Sequence, residues 1–281
     1  MKSRRDFIKT SGALALGSIL LPSLTDASNR KAVKTVGVQL YTLRKEMLAD
    51  NIGTLKRLAG LGYKELESAG SAKGNYYGLT PSEMKKVTKD LGMNLRSGHV
   101  HYDDKWQKTI DEAAEAGQEY VIVSSMPSKG QTVDNYKRVA EAFNKAGEAS
   151  KKSNLYFGYH NHDYEFEKEN GKMLYEVLVE NTSPEFVNLE MDLGWVVVTG
   201  NDPIDLFKKY PGRFPLWHLK DMDMAKKQSI EFGKGGLNLK QILGASKQSG
   251  MKYFFVEQEE YTGTPFESLE YNFKYLQSLK Y

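Results

Sequence analysis

Apolar runs of four to seven residues alternate with longer amphipathic segments along this chain, and the alternation continues without a Pro/Gly/Ser-rich linker. The short runs predict strands at Val36–Tyr41, Tyr63–Glu67, Asn94–His99, Tyr120–Ser124, Leu155–His160, Val187–Met191, Leu216–Leu219 and Tyr253–Glu257. A helical pattern follows each of them. Thr80-Pro81-Ser82-Glu83 places a capping Thr, a Pro at the first helical position and a Glu three residues after the cap, which together satisfy free amide donors. Gly60, Gly92, Gly117 and Gly250 are predicted to close helices shortly before the next strand. Eight such units in about 250 residues predict an α/β fold, a single-domain (β/α)8 TIM barrel, spanning residues 33–281. A doubly wound open sheet is the competing arrangement. It usually carries a glycine-rich phosphate loop after its first strand, where this chain reads QLYTLRKEM.

The segment before the barrel has a different character. It has a basic head, an apolar run from about Gly12 to Leu21, then small and polar residues, the outline of an export signal over residues 1–28. Ser3-Arg4-Arg5-Asp6-Phe7-Ile8-Lys9 resembles the twin-arginine pattern, so the expected partner is the twin-arginine export machinery and the expected location is outside the cytoplasm, in the periplasm. The apolar run is too short for a stable membrane span of roughly 20 residues. Residues 1–28 hold Lys2, Arg4, Arg5 and Lys9 against Asp6 and Asp26, a net of +2, so the formal +3 of the whole chain falls to about +1. A nearly neutral barrel lacks the positive field of a nucleic-acid binder. The chain has no Cys, which excludes disulfides, thiol nucleophiles and thiolate metal ligands and leaves His, Asp and Glu for any metal.

In a (β/α)8 barrel the chemistry sits at the C-terminal ends of the strands. Those ends read KELES, SGHVHY, GYHNHD, NLEMDLGW, LWHLKD and FFVEQEE, and they hold His99, His160, His162 and His218, with His101 two positions beyond His99. Residues two apart on a strand share a side. His160 therefore goes with His162, Glu190 with Asp192, His218 with Lys220, and Glu257 with Glu259. An inward Asp192, His218 and Glu257 from three consecutive strands offers mixed nitrogen and oxygen ligands to one divalent ion, compatible with Mn²⁺, Mg²⁺, Co²⁺ or Zn²⁺. Taken singly, each would be an ordinary hydrogen-bonded rim residue.

The ordered set VGVQLYTLR, GYKELE, YHNHDYEF, LEMDLGWVVVTGNDP, RFPLWHLKD, FGKGGLNLKQIL and FFVEQEE resembles the sugar phosphate isomerase/epimerase family of xylose-isomerase-like TIM barrels. The resemblance implies one divalent metal held by Glu, Asp, His and Glu from strands five to eight. The last three fall on Asp192, His218 and Glu257. At strand five the chain departs from the pattern, reading His160-Asn161-His162 where a Glu is expected. His160 is the expected fourth ligand, with Glu165 or His162 as alternatives.

The resemblance implies proton abstraction next to a carbonyl, through an enediolate. Glu257, His162 and Glu165 are the expected proton-moving residues. Glu67, His99, His101 and Lys220 are the expected substrate-binding residues, with Trp195 and Tyr41 offering apolar faces to a sugar ring. The expected function is a metal-dependent isomerase or epimerase of a small-molecule sugar, non-phosphorylated because sugar phosphates are mostly cytoplasmic. With a strand-five His in place of Glu, the same abstraction can instead lead to elimination from a keto-glycoside or inosose by a lyase or hydrolase. A metal-dependent nuclease and a non-catalytic sugar-binding protein complete the alternatives. The nuclease needs more His and Glu ligands than the rim supplies.

Overall fold

The computed structural model describes residues 32–281, which close into a barrel of eight parallel strands. These are β1 (Gly37–Gln39), β2 (Glu65–Ala69), β3 (Asn94–Val100), β4 (Tyr120–Val123), β5 (Tyr156–His160), β6 (Val187–Asp192), β7 (Leu216–Leu219) and β8 (Tyr253–Val256). They pair in the order β1-β8-β7-β6-β5-β4-β3-β2. The principal helices following them are α1 (Asn51–Leu61), α2 (Pro81–Asp90), α3 (Trp106–Ala116), α4 (Val133–Lys152), α5 (Leu174–Asn181), α6 (Pro203–Lys209), α7 (Leu239–Gly244) and α8 (Pro265–Ser278). This is the (β/α)8 architecture that the apolar pattern predicts. The export-signal segment lies outside the described residues. No helix among the described residues is long and apolar enough to cross a membrane.

Local chemistry accounts for most element ends. Thr80 and Glu83 form the predicted capping box at α2, and Thr264 and Glu267 form a second one at α8. The left-handed residue closing α1 is Gly62, at φ 106°, whereas Gly60 lies inside the helix. Strand β1 is shorter than its apolar run because the Gln39 side chain accepts the Tyr41 N–H and turns Leu40–Leu43 into a 3₁₀ segment. Two short antiparallel ribbons, Lys168–Glu169 with Lys172–Met173 and Asp221–Asp223 with Gln228–Ile230, interrupt the βα rhythm after β5 and β7.

Strand alternation separates two layers. Phe157 and Tyr159 point outward and pack with Phe143 of α4 and Trp106 of α3. The barrel interior holds a smaller cluster of Tyr120, Ile122, Leu216 and Phe255. Gly158 faces that interior, since a Cβ there would lie 2.5 Å from Ile122 Cδ1. His160, two positions on, therefore enters the barrel mouth directly above Gly158. The helix layer is fitted as closely. A Cβ at Gly147 in α4 would lie 2.1 Å from the Phe186 backbone oxygen.

That approach makes Gly147→Ala a test of the helix–barrel packing. We expect it to lower stability by about 1–3 kcal/mol, read as a lower midpoint in urea unfolding. An unchanged midpoint would contradict the close approach.

Candidate metal centre and pocket

Register brings the polar residues together. His160 on β5 is paired with Glu190 on β6, and Asp192 on β6 with His218 on β7. Glu257 follows β8 directly and donates its N–H to the Leu219 carbonyl at 3.2 Å. The chain thus delivers one donor from each of four neighbouring strands to a single point. His160 Nε2 lies 3.1 Å from His218 Nδ1, which lies 3.0 Å from Glu257 Oε2. Asp192 Oδ2 is 3.5 Å from His160 Nε2 and 3.9 Å from His218 Nδ1. All four donor atoms fall within 4.8 Å of one another.

Asp192 and Glu257 are held by neighbouring groups, whereas His160 Nδ1 is buried without a hydrogen-bond partner. Asp192 Oδ1 accepts the Trp195 N–H at 3.0 Å and so caps the short helix Leu193–Val198, leaving Oδ2 to face the cluster. Asn161 ties β5 to β6 by accepting the Asp192 N–H at 3.1 Å and donating to the Asp192 carbonyl at 3.4 Å. Lys220 is buried and lies 3.2 Å from Asp192 Oδ2, 2.8 Å from Glu257 Oε2 and 2.9 Å from Glu259 Oε1. Its ammonium also sits 5.0 Å from the Trp195 ring centroid.

The donor set fits a divalent cation. Asp192 Oδ2 is buried without a hydrogen bond, and the Lys220 ammonium 3.2 Å away is the cation that faces it; an ion between it and the two imidazoles would add to that neutralisation. Two imidazole nitrogens and two carboxylate oxygens, with no sulfur, suit Zn²⁺, Mn²⁺, Co²⁺ or Mg²⁺. His99, His160, Glu190 and His218 form a second, overlapping group of buried donors. There His99 Nε2 is engaged by Glu190 Oε2 at 2.7 Å.

The electrostatics follow from burial and mutual contact. Burial pushes Glu190 up to about 7 and lowers His160 well below the ordinary imidazole value, helped by the neighbouring His218 and His99. For His218 burial acts downward as well, but Glu190 and Glu257 outweigh it and hold the imidazole well above its usual value. For Glu257 burial acts upward and is outweighed by Lys220 and His218, which hold it well below the carboxylate range.

A pocket of about 330 Å³ opens over this centre, at the lower end of the roughly 300–1,000 Å³ typical of small-molecule sites. His99, His101, His160, His162, Trp195 and Glu257 all line it, as the strand-end reading expects. Tyr41, Ser124 and Glu259 complete the polar and aromatic wall.

Three expected site residues are placed elsewhere. Glu67 is fully buried below the pocket, with Oε2 2.6 Å from His218 Nε2. It does not line the pocket. Lys220 is likewise absent from the lining, because three carboxylates draw its ammonium under the floor. Glu165 is folded back by the 3₁₀ turn Tyr164–Phe166 and accepts the Tyr159 hydroxyl and, at 2.9 Å, the His162 N–H. It holds the loop that presents His162. Glu190 and Glu259 were not singled out by the strand-end reading, although parity already put them beside Asp192 and Glu257. Trp217 is core, stacked on Phe207 at 5.0 Å.

Residues 55–279 match the xylose isomerase-like TIM barrel family. Among curated proteins, the chain is 26% identical over 156 residues to inosose dehydratase of Bacillus cereus, covering 48% of this chain and 52% of that protein. It is 28% identical over 166 residues to inosose dehydratase of Clostridium tetani, covering 52% and 55%. The chain thus spans about half the length of the curated relatives it matches. Among solved structures, a sugar phosphate isomerase/epimerase from Parabacteroides distasonis is similar with a TM-score of 0.79 and 30% identity, covering 92% of this chain and 98% of that one. Together with the closed barrel and its rim of converging donors, the match over most of its length assigns the family: the chain belongs to the xylose isomerase-like TIM barrels.

Proposed function

We propose that this protein is a divalent-metal-dependent isomerase or epimerase that abstracts a proton next to the carbonyl of a non-phosphorylated sugar or sugar derivative. The observation that carries the reading is the convergence of His160, Asp192, His218 and Glu257 within 4.8 Å of one another, with His160 and Glu257 lining the rim pocket. A divalent ion held by these four supplies Lewis-acid stabilisation for the negative charge that develops on oxygen as the carbon is deprotonated. Glu257 and His162 both face the pocket and move the proton. Glu165 keeps His162 in place through the His162 N–H. His99 and His101 offer hydrogen bonds to hydroxyls, and Trp195 and Tyr41 offer flat faces to the ring carbons. Lys220 balances the charge of Asp192, Glu257 and Glu259 from below.

Charge supports the non-phosphorylated substrate. No Lys or Arg is among the residues that line the pocket, whereas Glu257 and Glu259 are. A phosphate would meet carboxylates there without a cation of its own to bind. Export through the twin-arginine route, read from residues 1–28, is part of the same proposal, because free sugars and glycosides are available outside the cytoplasm.

One observation favours a second outcome of the same step. His160 stands where a carboxylate would be needed for symmetrical two-base epimerisation. This supports elimination from a keto-glycoside or inosose, and the dehydratases among the curated relatives lend it weight.

Incubation with Mn²⁺ in D₂O, with a panel of free sugars, inososes and 3-keto-glycosides, separates the two. Deuterium entering an intact sugar supports isomerisation or epimerisation. Release of water or an aglycone supports elimination, and no exchange or release from any substrate by metal-loaded protein would contradict both. Asp192→Ala and His218→Ala are each expected to lower turnover at least 100-fold and to reduce bound Mn²⁺ in equilibrium dialysis, with the far-ultraviolet circular dichroism of the barrel retained. Full activity in both variants would place the chemistry elsewhere.

A further inference from the structure

The proposed reaction leaves one fully buried polar series without a role. Glu67 enters the barrel mouth just after an irregularity in the β2–β3 register at Leu66/Glu67, and its side chain has no solvent exposure. Its Oε2 accepts the Gln39 side-chain amide at 2.8 Å and lies 2.6 Å from His218 Nε2. Gln39 is itself fixed, because its Oε1 accepts the Tyr41 N–H at 3.1 Å at the start of the 3₁₀ turn after β1. The series thus runs from β1 through β2 and across the mouth to β7.

His218 lies between two different environments. Its Nε2 edge faces Glu67, whereas its Nδ1 edge faces His160 Nε2 at 3.1 Å and Glu257 Oε2 at 3.0 Å. The ring plane is set by stacking on His99, at 4.9 Å between centroids and 10° between planes. Carboxylate oxygens flank both ring nitrogens, but only Nδ1 meets the other donors of the proposed ion; with the ion on Nδ1, the single ring proton stays on Nε2, where Glu67 accepts it.

We infer that Glu67 is a positioning residue: by accepting the His218 Nε2–H it selects the tautomer whose Nδ1 faces His160, Asp192 and Glu257, and Gln39 holds the Glu67 carboxylate in place for that task. The inference rests on the metal-dependent reading above. It assigns work to a residue whose strand-end position suggested sugar binding.

The test uses the full chain and two readouts. Glu67→Ala is expected to weaken Zn²⁺ and Mn²⁺ binding in competition titrations by roughly 10–100-fold, the usual effect of losing a carboxylate behind a metal-ligating histidine. Glu67→Gln keeps an acceptor oxygen and should return affinity to within a few-fold of the parent. Unchanged affinity in a folded Glu67→Ala, or no rescue by Glu67→Gln, would overturn the inference. ¹⁵N-histidine NMR of the unmutated protein, with and without Zn²⁺, does not depend on a variant folding. The inference requires His218 to carry a proton on Nε2 and none on Nδ1 in the Zn²⁺-bound protein, and the reverse arrangement there would overturn it. A parent protein that binds neither ion would sink the metal reading, whereas a parent that binds and a Glu67→Ala variant that binds equally well would sink only the inference.

Discussion

The mouth of this barrel is organised by the cost of holding charge out of water. Glu67, Glu190 and Asp192 have no exposed side-chain surface, and Lys220 and Glu257 have very little. An isolated buried ion costs several kcal/mol, so the cluster persists only because its members answer one another. Lys220 serves three carboxylates, His99 and His218 also reach Glu67 and Glu190, and a divalent ion among the donors would offset much of the surplus negative charge. Removing any one member strands its partners, and for that reason the mouth behaves as a unit.

Strand parity and register create this cluster from a short stretch of each strand. Gly158 leaves the interior to Ile122, so His160 rises into the mouth two residues later. Asp192 reaches the same level opposite His218, and the turn that follows engages one carboxylate oxygen with the Trp195 N–H while the other faces Lys220 and the imidazoles. The same short helix sets Trp195 at the pocket wall. The scaffold, the donor cluster and the pocket wall at Trp195 are consequences of one local geometry.

Much of this was legible in the amino-acid sequence. The eight apolar runs predict the barrel, and the two-residue period gathers Asp192, His218 and Glu257 on one rim. Depth along a strand was not legible. Glu67 and His160 both stand near predicted strand ends, yet Glu67 lies below the pocket and His160 lines it, because the tilt and stagger of a closed barrel place equivalent positions at different heights. Glu165 was misread for a different reason. Its side chain is turned away by the 3₁₀ segment after β5, which no periodicity announces. Gly60 and Gly62 both suit a helix end by composition, and the choice falls to the one that must adopt a left-handed conformation.

The central claim is that one divalent ion binds where β5, β6, β7 and β8 converge. Anomalous diffraction from crystals grown with Zn²⁺ tests it most directly. The account predicts one strong peak about 2.0–2.2 Å from His160, Asp192, His218 Nδ1 and Glu257. No peak at that point, with Zn²⁺ bound elsewhere or not at all, would contradict it.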